Sequence, residues 1–169
     1  MMDNYRKYLQ SRERSIFLDK QKLNIQRINE KTSDIKEAVE ILSKYASRDD
    51  QEFLGNPEAI RSARYSFIVL AEAATNIATH LCARLLKKAP ATYAESFTFL
   101  ADHKLINPAL AARLGKMMGF RNLLIHGYSK IDDNKMLQIM RKDLTDVELY
   151  LKEVLNLVAE YGGDARNGA

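Results

Sequence analysis

Two Asn-Pro pairs, Asn56-Pro57 and Asn107-Pro108, each stand at the head of a long apolar pattern and fix where helices begin. An asparagine side chain accepts hydrogen bonds from the unpaired N–H groups of a first helical turn, and a proline there gives up only an N–H without a helical partner. After the first pair, Ala63, Phe67, Leu70, Ala74, Ile77, Leu81 and Leu85 form one stripe, so the spacing predicts a helix to about Lys88, stopped by Pro90. The second pair opens a helix of about 20 residues by the same criterion. Upstream, Ile28, Ile35, Ala38, Val39, Leu42 and Tyr45 predict a long amphipathic helix from about Asn24 to Ala46, interrupted at residues 53–57. A shorter helix is expected over residues 92–103. Downstream, Met140, Leu144, Val147, Leu151, Val154 and Val158 alternate by four and three, a seam for packing along other helices that closes at Gly162-Gly163. With no strand pattern, repeat or second domain, the expected fold is all-α: an antiparallel bundle of four to five helices.

The composition suits such a scaffold. At 169 residues, with 46% hydrophobic and 28% charged residues but only 7 Gly and 3 Pro, the chain can bury a real core as one domain. The single Cys82 lies in an apolar helical stretch, so it offers neither a disulfide framework nor a zinc cluster, and a buried thiol in a reducing cytoplasm is expected. Met117, Met118, Met136 and Met140 read as core filler. No secretory leader is expected, because residues 1–15 are charged, and the longest apolar run, residues 67–71, ends at Glu72, well short of a membrane span. Residues 1–27 carry seven Lys or Arg against three acids, which accounts for the whole net charge of +4. This arm can attract RNA or be a solvated extension.

The chemistry concentrates in Phe120-Arg121-Asn122-Leu123-Leu124-Ile125-His126-Gly127-Tyr128. A guanidinium grips phosphate oxygens through a rigid fork, and an imidazole titrating near neutrality can exchange a proton with a ribose hydroxyl or a leaving oxygen. On a helical wheel of about 100° per residue, Asn122 and His126 share a face while Phe120, Leu123 and Leu124 fall toward the core. Arg121 lies about 140° from His126 on that wheel, so one subunit need not complete the site. Without further context these polar groups also fit a solvated helical face. Glu72 and His80 stand near one face of the second helix, where they either line a cleft beside the motif or form a polar pair at the bundle edge. His103 is expected in a connection. No metal-ligand spacing and no Gly-rich phosphate loop is present in the sequence.

The string Arg121…His126-Gly127-Tyr128 resembles the R-x4-H-x-Y signature of the HEPN superfamily, in particular the HepT-like toxins of HepT/MntA toxin–antitoxin systems. The resemblance extends to Ile35-Lys36-Glu37-Ala38, Leu42-Ser43-Lys44-Tyr45, residues 65–80 and Tyr93-Ala94-Glu95-Ser96-Phe97, and covers about residues 24–160. It divides the chain into a basic N-terminal extension (1–23), a HEPN-like helical domain (24–163) and a C-terminal tail (164–169). It implies a homodimeric, metal-independent endoribonuclease needing no cofactor, with Arg121 on the transition-state phosphate, His126 as general acid or base, and Asn122 as the polar residue after the motif arginine. Attack by a ribose 2′-hydroxyl would leave a 2′,3′-cyclic phosphate and spare DNA. The resemblance further implies that a minimal nucleotidyltransferase antitoxin, MntA-like, neutralises the toxin by transferring AMP to Tyr128. The competing expectation is a non-catalytic HEPN module that binds a nucleotide, RNA or a nucleotidyltransferase partner.

Overall fold

The computed structural model describes Lys7 and residues 23–127 and 131–163. The readings placed on Tyr128, on nearly all of the basic extension and on the tail therefore lie outside the described residues. Among those described, every regular element is helical: α1 (Ile25–Ala46), α2 (Asp50–Leu54), α3 (Pro57–Leu81), a π turn (Cys82–Leu86), α4 (Tyr93–Asp102), α5 (Pro108–His126), α6 (Asp133–Lys142) and α7 (Leu144–Tyr161).

Side chains close the helix starts as the sequence indicates. The Asn56 amide oxygen accepts from the N–H groups of Glu58 and Ala59 at 3.1 and 3.0 Å, and that of Asn107 from Leu110 at 3.1 Å. Asn24 caps α1 through Arg27 at 2.9 Å, and Thr92 caps α4 through Glu95 at 3.2 Å.

Helix α3 is the central element. Its long partner is α1, while α4 packs on α5. The stretch Pro57–Leu86 is long and apolar enough to cross a membrane by length and composition, but 67% of its apolar window is already covered inside the bundle, which marks it as a core helix. Phe67 of α3 meets Phe120 of α5 edge to face at 5.0 Å, and Phe97 meets Tyr150 at 5.5 Å. The fully buried Tyr150 hydroxyl donates to the Ala74 carbonyl at 3.0 Å, tying α7 to α3. Arg141 of α6 clasps the end of α1, donating to the carbonyls of Ala46 (3.0 Å) and Arg48 (2.9 Å) and pairing with Asp50. There a cation also complements the negative pole of the helix. The four methionines at 117, 118, 136 and 140 are all buried.

Three details differ from the sequence reading. The interruption at residues 53–57 holds part of a short helix, α2, because Asp49 caps it through the Gln51 N–H at 2.9 Å and Phe53 plugs the core. The C-terminal seam breaks at Asp143 between α6 and α7. Backbone angles there stay in the αR region, so the phase is kept and both Met140 and Leu144 remain buried. The second long helix ends its α geometry at Leu81 and widens into the π turn, with Lys87 at φ 55° stopping it. Cys82 at the head of that turn lies 3.3 Å from the Ser96 carbonyl, and burial pushes its thiol up to about 11.

Candidate active site

Arg121 lies 1.4 turns before the end of α5, on the flank facing α3 and α4. Its Nη2 pairs with the Glu72 carboxylate of α3, and its guanidinium carbon sits 4.9 Å from the centre of the Tyr93 ring on α4. Nη1 donates to the Asn122 side-chain oxygen at 3.1 Å. The Arg121 side chain is only 12% exposed, and its Nε is buried without a hydrogen-bond partner among the described residues. A guanidinium has five N–H donors in a fixed plane. Two serve Glu72 and Asn122, which leaves one N–H on each terminal nitrogen without a partner among the described residues. Burial pushes the guanidinium's pKa down, and the adjacent carboxylate opposes that by favouring the charged form.

His126 is the last residue of α5 and is exposed, on the same outward face as the exposed Asn122. The last hydrogen bond of α5 runs from the Gly127 N–H to the Leu123 carbonyl at 2.8 Å, and Gly127 itself leaves helical geometry at φ −108° and ψ 35°. A Cβ at position 127 would lie 2.7 Å from that carbonyl oxygen and from a Leu123 methyl group, so the close approach requires glycine. The motif thus splits within one chain: the guanidinium is seated between helices and the imidazole stands on the open face.

Glu72 and His80 have separate fates. Glu72 belongs with Arg121. His80 does not line that pocket, and it does not pair with Glu72: it is buried, and its Nε2 accepts the Asn24 backbone N–H at 2.9 Å, sealing the start of α1. Eight residues advance a helix by about 12 Å, which carries His80 away from the motif. His103 is exposed at the end of α4, with its Nδ1 2.8 Å from the Phe99 carbonyl. No group of three or more His, Cys, Asp or Glu side chains is placed to hold a metal ion among the described residues.

Tyr93 is the contact that sequence reasoning missed. Its position at the first turn of α4 is legible from the Thr92 cap, but its contact with a guanidinium 28 residues away is tertiary.

The all-helical bundle formed by the described residues is of the HEPN type. The chain belongs to the HepT-like family: the family model, described as Ribonuclease HepT-like, matches residues 35–154. It is 31% identical over 80 residues to the mRNA nuclease HepT of Shewanella oneidensis, covering 47% of this chain and 60% of that protein. It is 28% identical over 86 residues to the tRNA nuclease HepT of Aphanizomenon flos-aquae, covering 51% and 58%. These matches span less than two thirds of either nuclease. Among solved structures, a tri-AMPylated Shewanella oneidensis HEPN toxin in complex with MNT antitoxin superposes with a TM-score of 0.72 at 25% identity, over 77% of this chain and 97% of the other.

Proposed function

We propose that the protein is a metal-independent endoribonuclease toxin that works as a homodimer in the cytoplasm. The observation that carries this reading is the seat of Arg121: a guanidinium fixed by Glu72, Asn122 and Tyr93, with donors to spare, on the helix that ends in an exposed His126. Arg121 binds the scissile phosphate and offsets charge as the pentacoordinate state forms. His126 takes the proton from the 2′-hydroxyl or returns one to the departing 5′-oxygen. The nucleophile is the RNA's own hydroxyl, so none of these roles requires a metal.

Within one chain His126 faces away from the Arg121 seat, so a second copy is needed to bring an imidazole to each guanidinium. The outward side of α5 suits such an approach. Ala112 and Gly119 precede Asn122 and His126 along it, and a Cβ at Gly119 would have nothing within 4 Å among the described residues. Glycine in an exposed helix interior costs about 1 kcal/mol relative to alanine. That cost is understandable if a neighbour's backbone comes close.

Control of the toxin is proposed to pass through Tyr128. A nucleotidyltransferase antitoxin would attach AMP to its hydroxyl, with loss of pyrophosphate from ATP, and so add an anion two residues after His126. Support comes from the relative described as an AMPylated toxin in complex with MNT antitoxin.

The test is cleavage in EDTA of RNA and of DNA with the same sequence, comparing wild type with Arg121→Ala and His126→Ala. The expected result is RNA cleavage only, reduced at least about 100-fold in each variant while helical circular dichroism is retained. Equal behaviour of all three proteins would instead favour the non-catalytic module.

A further inference from the structure

The Tyr93 ring is 41% exposed although one side of it lies against Arg121. Few large apolar side chains are so open in the described chain, and a second one is near. Tyr65, 70% exposed, lies on α3 seven residues before Glu72 and therefore close to the same face, about 10 Å along the axis. One open phenol ring thus touches Arg121, and a second lies on the Glu72 side of α3. Neither hydroxyl is engaged in a described hydrogen bond.

We propose that Tyr93 is a nucleobase platform, stacking an unpaired base of single-stranded RNA beside the phosphate held by Arg121, with Tyr65 receiving a base further along the strand. This rests on the nuclease reading above and names the substrate class for that site. The guanidinium braces the ring from one side while 41% of the residue stays exposed, and a flat base can cover that exposed part. A phosphate on Arg121 brings its own nucleoside within one sugar of that surface. Aromatic rings accept any base in this way, while bases inside a duplex are already stacked and unavailable. The site therefore favours loops, tails and other unpaired segments, with little preference for base identity.

The chain contains no tryptophan, so Tyr93→Trp introduces a sole reporter. In a His126→Ala background that prevents turnover, a single-stranded RNA oligonucleotide is expected to quench its emission over the same concentrations that raise the anisotropy of the labelled oligonucleotide. A blunt RNA duplex is expected to bind more weakly and to leave the emission unchanged. In the same background, Tyr93→Phe should bind as Tyr93 does, and Tyr93→Ala should bind roughly 5- to 100-fold more weakly. Anisotropy showing RNA bound while the tryptophan stays silent, with Tyr93→Ala equal to Tyr93→Phe, would overturn the platform but leave the nuclease standing. Equal binding and quenching by the duplex would overturn the single-strand assignment. No RNA binding by any of these proteins would remove both readings.

Discussion

At the residue scale, the motif separates into side chains that the sequence identifies and partners that it does not. The spacing of Arg121, Asn122 and His126 sets their relation on one helix. Their neighbours Glu72 and Tyr93 arrive from α3 and α4, and no local pattern encodes a contact across 49 or 28 residues. His80 shows the same limit. Its place on the second helix was legible, but its use as a buried acceptor for the Asn24 N–H depends on how α1 docks. That role has a pH signature. Burial, followed by the charges of Arg84 and Arg27, lowers the imidazole's pKa in the folded chain below its usual 6.5. As pH falls through that value the unfolded chain takes up the proton first, so the stability contributed by neutral His80 is complete above about pH 6.5 and drains away below it. Thermal melts between pH 8 and pH 5 should show Tm falling more steeply for wild type than for His80→Gln, whose amide oxygen can accept the same N–H without titrating. Parallel curves would remove His80 from the account.

At the element scale, helix starts are the most readable feature, because Asn24, Asn56, Thr92 and Asn107 act through their own side chains on the next three residues. Helix ends are less so. No local signal in the sequence marks the π turn at Cys82–Leu86, and the break at Asp143 interrupts a seam whose apolar spacing runs through it unchanged. The end of α4 is another case. Lys104 N–H bonds the Ala101 carbonyl at 2.9 Å and Leu105 N–H bonds the Leu100 carbonyl at 2.9 Å, a closure that puts Lys104 at φ 59°. A side chain is strained there and glycine is not. Lys104→Gly should raise stability by about 0.5–1 kcal/mol, roughly 1–4 °C in Tm. An unchanged or lower melting temperature would mean the lysine side chain offsets its backbone strain.

At the scale of the whole molecule, the bundle was foreseeable from apolar periodicity, and the assembly is where the sequence stops. Position 119 tests the proposed dimer directly, since a Cβ added there would have nothing within 4 Å among the described residues. Gly119→Leu should keep its helical circular dichroism, sediment as a monomer and lose about 100-fold in RNA cleavage, as expected when the imidazole of a composite site is withdrawn. A fully active Gly119→Leu dimer would place the contact elsewhere. The Arg121 seat carries one further consequence. Its walls come from three successive helices, and the arginine belongs to the last of them, so no shorter nascent chain holds the finished seat. Under the proposed nuclease reading, a ribosome must complete α5 before its product can cleave RNA, and a truncated translation product lacking that helix would be inert.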